Sequence, residues 1–323
     1  MDPKHWIRRK ERLSVYEVAF WLAALILPYA LFPTYLSLAS QIAVTAAFCI
    51  SLDLILGYAG IISLGHAAFF GIGAYAAGIL SARGWGEPVS GLIFAGIITG
   101  LVGWVVSFMI VRVHHLALLM ITLGLGFLTV ELANSFYWLT GGSDGLQGID
   151  TWPLLGIWKF SFWGYTSYAY ALAVCFLVFL FSRMLVRSPF GLTLETIREN
   201  PVRTTALGAP NRAHLQKIFV ISAVIAGIAG AVLAQTTEAV STEAPSFQRS
   251  ADIAIMLILG GTGRLYGAIL GAVIFMVARD QLADMNPQYW YFWIGLLLMV
   301  VVLFLPRGIL GGLEILAAKV RRK

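Results

Sequence analysis

VSGLIFAGIITGLVGWVVSFMIV, Val89 to Val111, contains no charged residue, and Ser90, Thr99 and Ser107 are its only hydroxyl side chains. Its length and apolarity meet the ~20 residues that a helix needs to cross a bilayer. Comparable windows lie at 16–33, 36–56, 66–81, 116–136, 166–182, 214–236 and 288–305. A further apolar stretch, 252–280, is too long for one simple span and is interrupted by Gly260, Gly261, Gly263 and Arg264. It reads as two short helices meeting at a glycine-rich break. The expected fold is therefore all-α and polytopic, with about ten membrane segments, eight firm and two around Gly260–Arg264.

Composition agrees with that pattern. Over 323 residues the AVILMFWYC set makes up 59% and the charged set only 12%, and the mean hydropathy is +0.83. These values exclude water-soluble, disordered, fibrous and disulfide-rich classes. Cys49 and Cys175 both fall inside apolar runs and read as small core residues. The net charge of +6 is a matter of topology. Ten segments put both termini on one side, and a cytosolic N-terminus leaves only Arg83, Lys159, Arg249 and Arg279 outside, of 22 Lys and Arg. No nucleic-acid partner is needed to explain the basic balance. The basic start MDPKHWIRRKERLSVYE precedes an apolar stretch from Val18 without a small-residue cleavage site, so an uncleaved first span behind a cytosolic tail is expected. The organisation read from the chain is a tail (1–15), one transmembrane domain (16–306) and a second cytosolic tail (307–323). Within the domain, an external aromatic-rich loop (137–165) and a charged cytosolic loop (183–215) stand out.

Several chemistries are missing. No GxxxxGK[ST] occurs, and HExxH, GxSxG and paired CxxC are absent. The one pair that could suggest an intramembrane enzyme is Ser63 with His66, and such residues at a helix start more often bond to neighbouring backbone or helices. No metal site is indicated. Ionisable groups within the bilayer are few (Asp53, His66, Glu131, Arg264) and sit mostly near span ends, so an ion-driven relay is not indicated. Energy is expected from another subunit.

Five stretches remain. GYAGIISLGHAAFFGIGAYAAG (Gly57–Gly78) carries Ser63, His66, Gly71 and Gly73, and reads either as close helix packing or as a broken start of the third span lining a pathway. LTGGSDGLQGI (Leu139–Ile149), with Gly141, Gly142, Asp144 and Gly145, reads as an ordered external turn or as a gate or docking contact, with Asp144 and Asp150 solvated. In RSPFGLTLETIRENPVRTTALGAP (Arg187–Pro210), Thr196 and Glu199 have capping-box spacing before Asn200 and Pro201, and Thr204–Leu207 suggests a second short helix stopped at Gly208. Glu195, Arg198 and Glu199 would then be exposed for a motor subunit to grip. LGGTGRLYGAILGA (Leu259–Ala272) includes a GxxxG at Gly267 and Gly271. In FLPRGILGGLE (Phe304–Glu314), Pro306 stops the last span and Arg307 fixes its cytosolic end.

In this order, from about Gly57 to Leu313, these stretches resemble the LivM-type permease family of branched-chain amino acid ABC importers. The resemblance implies an ABC importer permease fold in the bacterial cytoplasmic (inner) membrane with both termini cytosolic. It also implies a second, LivH-type permease, two cytosolic ABC ATPases that use ATP and Mg, and a periplasmic substrate-binding protein. No cofactor is expected in this chain, and no enzymatic activity. By the same resemblance, Arg187–Pro210 holds the helix that couples to the ATPase, and transport proceeds by alternating access. The fifth span departs from the family: Gly126 is followed by Phe127, with Glu131 one turn later, where relatives often carry an acidic residue after the glycine. Glu131 either lines the pathway or anchors the outer helix end. Related permeases carry urea, short amides or aromatic carboxylates, and a stand-alone facilitator is the alternative of another class.

Overall fold

A computed structural model describes residues 15–113, 115–154, 156–160, 164–305 and 308–312. The expected tails, except Val15 and residues 308–312, lie outside the described residues, as do Phe162, Trp163, Pro306 and Arg307. Ten longer helices follow one another: α1 (Val15–Leu31), α2 (Leu36–Asp53), α3 (Ala67–Ala82), α4 (Pro88–Ile110), α5 (His115–Ser135) and α6 (Tyr165–Val186), then, after two short helices, α9 (Asn211–Thr237), α10 (Phe247–Gly260), α11 (Leu265–Met285) and α12 (Trp290–Phe304). The short pair is α7 (Pro189–Glu199) and α8 (Pro201–Ala206). Six of the helices are long and apolar enough to cross a membrane, α2 taken together with the turns that flank it. Among the described residues extended structure is limited to the isolated bridges Leu146–Val240 and Leu154–Trp158.

The helices start where local chemistry can satisfy their first amides. Glu87 accepts from Ser90 N at 2.6 Å, with Pro88 as the first residue of α4. Ser246 accepts from Arg249 N at 3.2 Å ahead of α10.

The bundle is organised around α9, which packs on α3, α4 and α2. Small residues make this possible. A Cβ added to Gly73 would lie 2.6 Å from the carbonyl carbon of Gly227, and one on Gly230 would lie 2.8 Å from that of Phe70. The α3 and α9 backbones therefore touch, the close approach that glycine permits in membrane helices. At one end of the bundle Gln235 ties three helices: Tyr170 Oη donates to its Oε1 at 2.6 Å, and its Nε2 donates to Pro88 O at 2.9 Å. The Gly141–Gly145 turn, the 150–152 segment and the α3–α4 connection also gather there. Cys49 and Cys175 are free and buried.

Two expectations are corrected. The Gly260 break does not join two short helices: α10 has 14 residues, but α11 has 21, because the apolar pattern of α11 continues past Ala272. Nor does the charged loop start at Arg183. That residue lies inside α6, is 9% exposed, and donates to Glu17 Oε2 at 2.7 Å, so its charge is carried into the helix by an ion pair with α1.

Candidate functional site

At the end of the bundle opposite Gln235, two breaks in helical structure meet. Beyond Asp53, α2 widens into a π-helical segment, Leu54–Tyr58, and the chain leaves it through Gly60 at φ +73°. Such π turns free backbone groups from the regular ladder and recur at functional sites. The second break is the α10–α11 connection, where Gly261 and Gly263 adopt φ of +112° and +74°. Asp53 joins the two: it is fully buried, and its Oδ1 accepts Gly263 N at 2.7 Å. Gly57 lies against Gly263 so closely that a Cβ there would stand 2.8 Å from Gly263 Cα.

Arg198 of α7 closes this joint. Its guanidinium donates to Gly57 O, and its stem passes Gly60, where an added Cβ would lie 2.8 Å from Arg198 Cγ. The same guanidinium sits within electrostatic reach of Asp53. Arg198 is exposed, as expected, but its head turns back onto a backbone carbonyl that the π turn leaves available. Glu199 and Asn200 are exposed, and Glu195 is half-buried.

The grammar of the α7–α8 pair also differs from the sequence reading. Thr196 does not cap a helix with Glu199. It lies within α7, and its hydroxyl donates to Thr193 O at 2.8 Å. The caps are Ser188, which accepts from Gly191 N at 3.4 Å, and Asn200, which accepts from Arg203 N at 3.0 Å, each followed by a proline in the first helical position. The second helix accordingly begins at Pro201 instead of Thr204, and Gly208 follows it at φ +84°. Leu194 and Ile197 bury the inner face of α7, while Val202 and Leu207 are each 78% exposed.

Ser63 and His66 do not form a pair. His66 Nε2 lies 2.9 Å from Ser51 Oγ and 3.3 Å from Ser222 Oγ, its ring stacks on Phe48 with centroids 5.7 Å apart, and Ser51, His66 and Ser222 are all 0% exposed. This node ties α2, the start of α3 and α9, with no opening for a substrate. Ser63 is buried elsewhere in the 59–66 break, its hydroxyl without a protein partner. That break leans on α5: Leu64 N donates to Thr122 Oγ1 at 3.3 Å, and a Cβ on Gly126 would reach Gly65 Cα at 3.7 Å. Ser63 and Gly126 thus flank one contact. Gly71 and Gly73 are buried in packing against Pro245 and Gly227. Glu131 is exposed on an outward stripe of α5 with Met120, Phe127 and Leu128.

Gly141, Gly142 and Gly145 have φ of +78°, +62° and +76°, and Gly145 approaches Val240 O. Asp144 and Asp150 are exposed, as expected of solvated turn residues. Among the described residues no three His, Cys, Asp or Glu gather as metal ligands. The residue left out of the sequence-based site is Asp53. Its signal was available, since a carboxylate four positions before a glycine inside an apolar span needs a partner.

Residues 34–302 match the family described as branched-chain amino acid transport system / permease component. The chain is 28% identical to the high-affinity branched-chain amino acid transport system permease protein LivM of Salmonella typhimurium, covering 95% of this chain and 78% of that protein. It is 25% identical to the LivH permease of the same kind of system in Escherichia coli, over 84% and 92%. It is 29% identical to the autoinducer 2 import system permease protein LsrC of Enterobacter, over 85% and 81%. No solved structure matches. With six helices able to cross a membrane, a capped helix pair at one end and a family match across most of its length, this chain belongs to the branched-chain amino acid transport system permease component family.

Proposed function

We propose that this chain is the LivM-type permease of an ATP-driven importer for branched-chain or other hydrophobic amino acids, paired with a LivH-type permease. Two cytosolic ATPases supply the energy, using ATP and Mg, and a periplasmic binding protein delivers the substrate. The chain sits in the bacterial inner membrane with both termini and the α7–α8 pair on the cytosolic side, and with the Gly141–Gly145 turn on the outer side, where it faces the binding protein. Ser63, Gly126 and Glu131 lie along the pathway side, and Gly71 and Gly73 hold the third span in place.

The observation that carries this reading is the bond from Arg198 to Gly57 O. A force applied to α7 through exposed Glu199, Val202 and Leu207 reaches, in one side chain, the place where two membrane helices are broken. Closure of the ATPases can then reorient α2 and the α10–α11 pair, the bistable element that alternating access requires.

Charge reversal at Arg198 and Glu199 tests it in proteoliposomes holding the co-purified complex. ATP hydrolysis is expected to continue while uptake of leucine fails. Uptake at the unaltered rate, or conduction by the purified chain in vesicles without ATP, would make the chain a facilitator and α7 a plain connector. Uptake of urea, a short amide or an aromatic carboxylate in place of leucine would keep the mechanism and change the substrate.

A further inference from the structure

At the end of the bundle assigned above to the outside, a cavity of about 560 Å³ opens between the ends of α2, α10, α11 and α12. That volume is in the range of small-molecule sites. Its charged lining comes from Glu243, Arg249, Asp252, Arg279 and Asp280, with Gln41 of α2 on the facing wall. Charges are rare in this protein, yet five of them converge here.

The two arginines are held against aromatic rings and not by direct ion pairs. Arg249 Cζ lies 5.5 Å from the centre of the Phe70 ring, and Arg279 Cζ lies 5.1 Å from that of Trp290. Neither guanidinium has a hydrogen bond or ion pair to the protein among the described residues. Each carries five N–H donors, which are left to water or to a ligand in the cavity. The aromatic contacts fix the heads in position by cation–π attraction while leaving those donors free. Around them stand three carboxylates. Asp252 is 7% exposed and receives only Gln248 Nε2, at 3.0 Å; Glu243 and Asp280 complete the ring. Arg249 feels Arg279, Asp252 and Glu243 together.

A lone anion would meet three carboxylates, and a lone cation two guanidiniums. A molecule with both charges on adjacent carbons satisfies both sets. We propose that this cavity binds the zwitterionic head of a free α-amino acid, with the carboxylate on Arg249 and Arg279 and the ammonium on Asp252 and Asp280. The proposal takes the orientation of the bundle and the choice of probe from the importer reading, but the site itself is a property of this chain. It would select amino acids over urea, amides and simple carboxylates before the pathway is reached.

The test is binding of radiolabelled leucine to the full-length chain in nanodiscs, without ATP or binding protein. Saturable binding with a Kd of about 1 mM or tighter is expected, with isovalerate (no ammonium) and isoamylamine (no carboxylate) competing at least about tenfold more weakly than unlabelled leucine. Arg279→Gln and Asp252→Asn should each weaken leucine by about tenfold, and Arg279→Lys should recover part of the loss. Absence of saturable binding to the unaltered chain would overturn the proposal, as would isovalerate competing as well as leucine. Leucine binding seen in phosphatidylglycerol discs and abolished by phosphatidylethanolamine would also overturn it, by assigning the cavity to a lipid headgroup. The competition series needs no variant, so a misfolded substitution does not shield the idea. ATP-driven uptake measured on the same complex separates the two claims: uptake without cavity binding sinks this proposal alone, and cavity binding without uptake sinks the importer reading alone.

Discussion

Gly57→Ala is the substitution to which the joint should be most sensitive. Its new methyl carbon would stand 2.8 Å from Gly263 Cα, and closer still to Gly263 N and Asp53 Oδ1, where ordinary contact begins near 3.4 Å. For that one Cα the two breaks must part by about 0.6 Å, and more for the other atoms. Neither side can yield cheaply, since Gly263 is held by Asp53 and Gly57 by Arg198. Overpacking costs about 1–3 kcal/mol, and leaving the buried Gly263 N–H without Asp53 adds about 1–3 kcal/mol. The expected loss is roughly 2–6 kcal/mol, a large part of the ~5–15 kcal/mol that holds a folded domain. The control is Gly295→Ala on α12, where an added Cβ meets nothing within 4 Å and helix propensity favours alanine by about 1 kcal/mol. Thermal unfolding of the two variants in the same detergent, followed by size-exclusion profiles, is the assay. Gly57→Ala should melt well below the unaltered chain and Gly295→Ala at or above it. Equal melting of both variants would refute the claim that the two breaks are packed backbone to backbone.

Three other outcomes follow from the same geometry. Glu17→Ala should lower the melting temperature through loss of about 1–3 kcal/mol, because it strands Arg183 in a mostly buried position; exchanging the two residues should restore part of it. Ser63→Ala should leave stability unchanged, since its hydroxyl bonds to nothing in the protein, whereas His66→Ala should destabilise by about 3 kcal/mol through the cavity left beside Phe48; an equal effect of the two would overturn the assignment of His66 to a packing node. At the start of α4, bonds from Ser90 hold the Glu87 carboxylate below the usual glutamate range. Because the folded value is the lower one, this contribution is present above the unfolded value and is lost as pH falls through the folded one. Amide exchange at Val89 to Gly91 should therefore quicken on acidification relative to its intrinsic rate, and Glu87→Gln should remove that pH dependence.

What the sequence made legible was whatever repeats at helical scale. The spans and the broken starts near Gly60 and Gly260 could be placed because apolar length and glycine act locally. The helix-stop-helix segment was visible for the same reason, yet its caps were misassigned. Thr196 and Glu199 have the spacing of a capping box, but Ser188-Pro189 and Asn200-Pro201 are stronger starts, because proline at the first helical position adds to a capping oxygen. The roles of Asp53 and Arg198 depended on contacts across 210 and 141 positions respectively, which no local pattern carries. The cavity of Arg249 and Arg279 was hidden in the same way. Arg249 and Arg279 were read only as the few basic residues outside, a topological remainder, until folding brought α10 and α11 side by side.

That pair of helices connects the two sites. Gly260 approaches Gly267, and Gly271 approaches Met256, so tightly that added Cβ atoms would lie 2.6 and 2.9 Å from the opposing carbonyl carbons. Backbones in such contact cannot slide or splay without breaking it, so α10 and α11 move as one body. One end of this body carries Gly263, gripped by Asp53 in the joint that Arg198 closes. Its other end carries Arg249, Asp252, Arg279 and Asp280. A displacement at α7 therefore arrives at the far cavity as a movement of four of its five charged groups, while Gln41 stays with α2. Because Asp53 also belongs to α2, that motion pivots on the helix that forms the opposite wall. An amino acid held between the two walls would then be bound in one position of the pair and released in the other, with no relay of protons through a membrane interior that holds so few ionisable groups.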